Sequence, residues 1–176
     1  MIAPLPANEA ARLDALRSFA VLDTAPEPGF DDLTRLAAHV CGTPIALVSL
    51  IDDCRQWFKS RHGLDAAETP RDIAFCTHAI LGHDLMVIPD AQQDARFRDN
   101  PLVTSPPFIR FYAGAPLRTP DDLALGTLCV IDRVPRVLSR EQKHALQSLA
   151  EIIVAQLEAR RRELESDCGP EHEPAS

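Results

Sequence analysis

The sequence lacks a long apolar run, a surplus of positive charge and a targeting segment. Its longest apolar stretch, residues 44–51, is interrupted by Ser49 and is far shorter than the roughly 20 residues that cross a bilayer. The formal net charge is −8, whereas nucleic-acid binding depends largely on Lys and Arg that neutralise phosphates. The first residues have neither the basic nor the apolar part of a secretory signal. We therefore expect no membrane segment and no nucleic-acid partner.

Cysteine is present in an odd number and without regular spacing. The five residues are Cys41, Cys54, Cys76, Cys129 and Cys168, and no two of them form a CxxC pair. This pattern is typical of reduced thiols in the cytoplasm rather than of a disulfide framework. The histidines are also scattered, without an HxH or HExxH motif. We therefore expect a cytoplasmic protein with no metal site.

Apolar periodicity divides the chain into helices and short strands. The expected helices cover residues 8–22, 30–41, 74–81 and 139–165. The expected strands cover residues 45–51, 56–60, 85–88, 110–117 and 125–131. Gly42 is placed to end the second helix, and Ser139 with Gln142 matches a capping box at the start of the last. A flexible N-terminus, 1–7, and a disordered tail, 166–176, are expected to flank one domain, 8–165.

The order of these elements indicates an α+β fold. The strands follow one another through hairpins and one broad, polar excursion, residues 90–107, rather than through regular helical crossovers. This predicts a central antiparallel sheet of about five to six strands, with the terminal helices packed on one face.

Several sequence strings, taken in order, resemble those of bacterial GAF domains. They are LDTAPEPGFDDL at 22–33, CGTPIALVSLID at 41–52, RQWFKS at 55–60, ETPRD at 68–72, FCTHAI at 75–80 and GTLCVID at 126–132. The resemblance covers about residues 8–162 and is to the modules that precede histidine kinase and diguanylate cyclase domains. It implies a PAS-like sheet with a ligand pocket on one face and signalling through dimerisation of the terminal helices.

No output domain is present in the sequence, so we interpret the chain as a stand-alone module, or as a segment of a longer protein. The resemblance implies a downstream kinase or cyclase as output partner. The last helix carries an apolar stripe broad enough to cover the sheet and to contact a second copy. Its residues are Leu146, Leu149, Ile152, Ile153 and Leu157. We therefore expect a homodimer, with a monomer that uses the stripe as core as the alternative.

We expect the pocket to lie between the 74–81 helix, the 90–107 excursion and the 110–117 strand. The candidate ligand-binding residues are Phe75, Cys76, His78, Asp90, Arg96, Phe111 and Tyr112. An imidazole can donate to an anionic or carbonyl group, and an arginine can close over an anion. Several of these residues have a structural alternative: the histidine only stabilises its helix, the aspartate caps a turn, and the aromatic rings fill the core.

Three functions stay open. The first is a non-enzymatic sensor of an unidentified small molecule in bacterial signal transduction. The second is a thiol-based redox enzyme or sensor, because some GAF proteins reduce free methionine-R-sulfoxide and Cys76 lies near the position expected for such a nucleophile. A disulfide mechanism needs a second thiol in reach, and the excursion contains none. The third is a ligand-free dimerisation scaffold.

Two ligands of other GAF domains are not expected here. The Asn-Lys-Phe-Asp-Glu signature of the cyclic-nucleotide type is missing from the sequence. In bilin-binding GAF domains the anchoring cysteine is followed directly by histidine, whereas Thr77 lies between Cys76 and His78. The cofactor, if any, stays unknown at this point.

Overall fold

A computed structural model describes residues 1–169 and contains one six-stranded sheet in the order β3-β2-β1-β6-β5-β4. All neighbouring strands are antiparallel. The strands are β1 (Ile45–Ile51), β2 (Arg55–His62), β3 (Glu68–Pro70), β4 (Met86–Ile88), β5 (Phe111–Arg118) and β6 (Ala124–Asp132). The α-helices are α1 (Glu9–Ser18), α2 (Pro28–Cys41), α3 (Cys76–Ala79), α4 (Pro101–Thr104) and α5 (Arg140–Asp167). The α+β fold expected from the sequence is confirmed.

The sheet is buried on both faces. On one, the helix face, α2 and α5 pack against alternate strand residues, and Leu16 of α1 joins the same cluster. The other, the distal face, is covered by residues 71–81 and 89–109, which include α3 and α4. β1 lies between β2 and β6, so Val48 points to the helices and Leu47 to the distal face. This central position explains why the strand is a continuous apolar run.

Helix ends follow the expected chemistry in α2 and α5. Gly42 takes a left-handed conformation, φ 64°, at the end of α2, which glycine adopts at little cost. Ser139 and Gln142 form the capping box of α5 in both directions. Within residues 1–169, no helix is both long and apolar enough to span a bilayer.

Some boundaries differ from the expectation. α1 ends at Ser18 rather than at residue 22, because the chain turns at Ala20, φ 50°. The 74–81 helix shortens to the single turn of α3. The short strand β3 lies where no strand was expected, and it pairs with the start of β2. α5 extends to Asp167, and residues 170–176 of the expected tail lie outside the described part of the chain.

A buried ionic cluster joins α1 to the segment that leads into α3. Glu9 accepts hydrogen bonds from Arg12, at 2.9 and 3.0 Å, and from Arg71, at 2.5 Å. The Arg12 side chain is fully buried and also donates to the backbone oxygens of Ile51 and Ala124. Burial raises the pKa of Glu9, but the two guanidinium groups outweigh this effect and lower the pKa to about 2. The carboxylate is therefore charged and holds α1 to the segment of Arg71, while Arg12 joins α1 to the ends of β1 and β6.

Candidate functional site

The space beneath α3 is filled by aromatic rings. Phe75 and Phe97 stack with ring centroids 4.1 Å apart, and the Tyr112 ring lies 5.3 Å from Phe75. All three side chains are buried. The His78 ring meets Phe97 edge-on at 4.8 Å. The hollow expected at this position is thus occupied, because the excursion folds Phe97 inward onto the sheet.

Cys76 lies at the bottom of this cluster among polar groups. Its Sγ accepts hydrogen bonds from the hydroxyl groups of Thr127, at 3.0 Å, and Tyr112, at 3.2 Å. The Sγ of Cys129, on β6, lies 4.0 Å away. From the sequence, a second thiol was expected only in the excursion, and Cys129 was not considered. No local signal could have found it, because only the pairing of α3 with β6 brings the two residues together.

The polar groups around Cys76 favour its ionisation over that of Cys129 or Tyr112. Burial raises the pKa of Cys76, but hydrogen bonds from Cys129, Thr127 and Tyr112 outweigh burial and lower the pKa to about 7. The pKa of Cys129 is raised by its hydrogen bond to Cys76 and by burial. The pKa of Tyr112 is raised by burial and by the charge on Cys76. If one group in this cluster ionises, it is therefore Cys76.

Three predicted residues lie at the outer side of the cluster, each with a local partner. His78 is half-buried, and its Nε2 lies 3.1 Å from the backbone oxygen of Met1. Arg96 makes two contacts with the Asp94 carboxylate, at 3.0 and 2.8 Å, and covers the Phe97 ring. Asp90 caps a short 3-10 turn by accepting from the backbone nitrogen of Gln92 at 3.0 Å.

Phe111 is separated from the other predicted residues. It lies on the helix face among core residues, whereas Tyr112 lies on the distal face. Successive side chains of a strand point to opposite faces, so these two neighbours cannot line one pocket. The period of two in β5 was present in the sequence and should have separated them.

A cavity of about 500 Å³ lies on the distal face, beside the aromatic cluster rather than beneath α3. We call it the β1–β2 cavity, because those strands form its floor and the segment 102–109, which includes part of α4, lines its other side. Its apolar walls include Ile45, Leu47, Phe58, Leu64, Leu102 and Ile131. Its polar groups are Gln56, Thr69, Asp65 and Arg133. None of these residues was selected from the sequence, where they have the pattern of ordinary core and loop positions.

A polar chain runs from the cavity toward Cys76. Gln56 lines the cavity, donates to Thr69 at 2.9 Å and accepts from Ser49 at 2.6 Å. Ser49 is one of the polar groups that lower the pKa of Cys76. A separate groove of about 610 Å³ lies on the helix face, beside α5, where Leu85 and Val154 are among its walls. Its lining shares no residue with the β1–β2 cavity.

The family model described as GAF domain matches residues 26–157, about three quarters of the chain. The chain belongs to the GAF domain family. The resemblance expected from the sequence strings is thereby confirmed. GAF domains are signalling and sensing domains, commonly bind small molecules and occur together with kinase or cyclase output domains.

A curated relative shares substantial sequence with this GAF domain. It is a cyclic di-GMP phosphodiesterase of Pseudomonas aeruginosa, 42% identical over 159 residues, which are 90% of this chain and 27% of that protein. The GAF domain thus spans about a quarter of that relative. The likeness supports a role in bacterial signalling.

Solved structures with the same fold include proteins of different functions. One is the type II free methionine-R-sulfoxide reductase of Thermoplasma acidophilum, with a TM-score of 0.61 and 14% identity. The match covers 82% of this chain and 96% of that chain. Another is the GAF domain of an Acinetobacter phosphoenolpyruvate-protein phosphotransferase, with a TM-score of 0.60, 16% identity, 91% of this chain and 98% of that chain. At these identities the likeness concerns the fold alone.

Proposed function

We propose that this GAF domain is a cytoplasmic, non-enzymatic sensor that binds a small, mainly apolar molecule in the β1–β2 cavity. The observation that carries the proposal is the cavity itself. Its volume of about 500 Å³ lies within the roughly 300–1,000 Å³ of small-molecule sites, and its walls are mostly apolar with a few polar groups. That composition suits a ligand with an apolar body and one polar end.

The polar groups set the orientation of the ligand. Gln56 and Thr69 form the inner polar side, and the charged side chains of Asp65 and Arg133 lie at the periphery. Phe75, Cys76, His78 and Tyr112 act behind the cavity by anchoring the segment that covers the distal face. Asp90 and Arg96 hold the excursion through their local contacts.

Signalling proceeds through a homodimer formed by the terminal helices, with a kinase, cyclase or related output protein as partner. Most of the expected α5 stripe is used inside the domain, since Leu146, Leu149, Ile153 and Leu157 are buried. Ile152 of α5 and Leu36 and Val40 of α2 are exposed. These three exposed apolar side chains support the proposal that a second copy of the chain packs against them.

Native mass spectrometry of freshly purified protein tests the proposal, because it reports the oligomeric state and any retained small molecule. We expect a dimer with an additional bound mass. Leu102→Trp narrows the cavity and should reduce the bound fraction, whereas Leu81→Trp, at an exposed position outside the cavity, should leave it unchanged. Bound mass that both variants retain equally would place the ligand elsewhere.

A second candidate function is thiol-based reduction, favoured by the separation of 4.0 Å between the Sγ atoms of Cys76 and Cys129. In this reaction Cys76 attacks the sulfur of a sulfoxide, and Cys129 then forms a disulfide with Cys76. Two thiols are oxidised, the sulfoxide is reduced to a thioether, and its oxygen leaves as water. Turnover of free methionine-R-sulfoxide with dithiothreitol, lost in Cys76→Ser but kept in Cys54→Ser, would support it. Equal, background turnover in all three proteins would exclude it.

A further inference from the structure

Glu27 contacts both a strand that lines the cavity and the last helix. Its Oε2 forms an ion pair with the ammonium group of Lys59 on β2, at 2.5 Å, and accepts a hydrogen bond from Arg160 of α5 at 3.1 Å. Glu27 lies at the end of the connection between α1 and α2, residues 19–27. We call the three residues Lys59, Glu27 and Arg160 the Glu27 junction.

Lys59 cannot easily leave this junction. Its side chain is fully buried, and its ammonium also donates to Thr24 Oγ1 at 2.8 Å and to the backbone oxygen of Ala25 at 2.6 Å. A buried charge is strongly unfavourable without a charged partner. Glu27 must therefore move together with Lys59 when β2 moves at this position.

The residue before Lys59 lines the cavity. Phe58 faces the distal side, while the register of β1 and β2 shifts here and leaves Lys59 as an extra residue on β2. Such a bulge re-aims a side chain, in this case toward the helix face. A ligand that displaces Phe58 would consequently displace the backbone of Lys59.

Arg160 fixes α5 against the same connection. Its guanidinium donates to the backbone oxygens of Phe19 and Ala20, both at 3.0 Å, in addition to Glu27. Arg160 lies two turns before the end of α5 at Asp167. The position of this end relative to the sheet therefore depends on the carboxylate that Lys59 holds.

We infer that the Glu27 junction couples occupancy of the β1–β2 cavity to the position of the C-terminal end of α5. The inference rests on the proposed function and deepens it by assigning residues to the transmission of the signal. The intact junction resists displacement of β2, so it opposes ligand entry until α5 moves. Coupling between two sites is reciprocal, so a change at Arg160 must also change affinity in the cavity.

The experiment uses the whole chain and the fluorescent probe 1-anilinonaphthalene-8-sulfonate, which has an apolar body and one anionic end. Its dissociation constant is measured by fluorescence titration in the wild type, Arg160→Gln, Glu27→Gln and the double variant. Arg162→Gln, at an exposed position of the same helix, is the matched control. Arg160→Gln leaves the Lys59–Glu27 pair in place, so it keeps the test valid if Glu27→Gln does not fold.

Release of the junction should tighten probe binding at least 5-fold in Arg160→Gln, the lower end of typical coupling between sites. Glu27→Gln should have a similar effect, and the double variant should add nothing further. Hydrogen exchange supplies a readout that a merely structural role would not change. Probe binding should alter exchange at residues 156–163 in the wild type and in Arg162→Gln, but not in Arg160→Gln.

The outcomes separate the two proposals. The coupling is overturned if the wild type binds the probe saturably and Arg160→Gln binds it with a dissociation constant that is larger than, or within 2-fold of, the wild-type value. The sensor proposal stands in that case. Absence of saturable binding in the wild type, or binding that Leu102→Trp does not weaken, overturns the sensor proposal and the coupling with it.

Discussion

The Sγ atoms of Cys76 and Cys129 lie 4.0 Å apart between α3 and β6, in a fully buried site. A disulfide requires about 2.05 Å between sulfur atoms, so a small movement of the segment covering the distal face would allow the bond. The bond would then fix that segment to the sheet. The thiols are reduced in the structure, as are the other three cysteines.

Peroxide should therefore link Cys76 to Cys129 in a variant with the exposed Cys54 and Cys168 replaced by Ser. One peroxide molecule oxidises two thiols and becomes two waters, so the protein loses the mass of two hydrogen atoms. Peptide mapping by mass spectrometry identifies the linked pair. Cys129→Ser in the same background should give no intramolecular disulfide. A link to Cys41 instead would contradict the proximity described here.

Gly126→Ala should strongly destabilise the fold. A Cβ atom at this position of β6 would lie 1.8 Å from the backbone oxygen of Ser49 on β1. Backbone cannot yield as a flexible side chain does, so we expect a loss of about 3 kcal/mol or more in the free energy of unfolding. Urea denaturation measures it.

Gly82→Ala is the matched control for that substitution. A Cβ atom at Gly82 would meet no other atom within 4 Å among the described residues. Its free energy of unfolding should stay within about 0.5 kcal/mol of the wild type, as is usual for surface changes. Equal destabilisation by both substitutions would argue against the close contact between β6 and β1.

Glu9→Gln should cost about 3 kcal/mol at neutral pH, because it leaves the buried guanidinium groups of Arg12 and Arg71 without their shared carboxylate. Asp14→Asn, at an exposed position of the same helix, should be nearly neutral. Chemical denaturation of the three proteins provides the comparison. A loss below that of Asp14→Asn would contradict the role of the cluster.

The difference in stability between the wild type and Glu9→Gln should also depend on pH. The pKa of Glu9 is lowered from 4.5 to about 2 in the folded state. The ionised Glu9 carboxylate therefore contributes fully to the stability of the fold above pH 4.5, and this contribution is lost as the pH falls toward 2. The stability difference between wild type and Glu9→Gln should narrow over this range. A difference that widens on acidification would reverse the assigned sign.

Ile152→Glu should shift the protein from dimer to monomer. Ile152 is 46% exposed on α5, and a charge there would be buried without a partner in a dimer. Val137→Glu, at a position 87% exposed before the helix, should leave the dimer intact. Light scattering after size-exclusion chromatography gives the mass of each variant. A monomeric wild type, or a dimer that persists in Ile152→Glu, would contradict the proposed interface.

The fold was largely accessible from the sequence because its signals are local. The apolar run of β1 indicated a central strand, and the Ser139–Gln142 box marked the start of α5. β3 was missed because three residues ending in Pro70 carry almost no periodicity. α3 begins late because a 3-10 turn, Arg71–Ile73, and the extended backbone of Ala74 precede it, and no pattern within residues 74–81 reveals this.

The site was less accessible because it depends on contacts distant in sequence. The pairing of Cys76 with Cys129 and the Glu27 junction both require the finished sheet and helices. The strings RQWFKS and LDTAPEPGFDDL carried the family resemblance, and the structure shows one reason for them. Arg55 and Lys59 of the first bind Asp23 and Glu27 of the second. A motif that looks functional in sequence here holds two parts of the fold together.

The most direct measurement is nuclear Overhauser spectroscopy of the methyl-labelled protein with bound 1-anilinonaphthalene-8-sulfonate. The account predicts contacts from the probe to the methyl groups of Leu47, Leu102 and Ile131, which line the β1–β2 cavity. Contacts confined to Leu85 and Val154, in the groove beside α5, would contradict it.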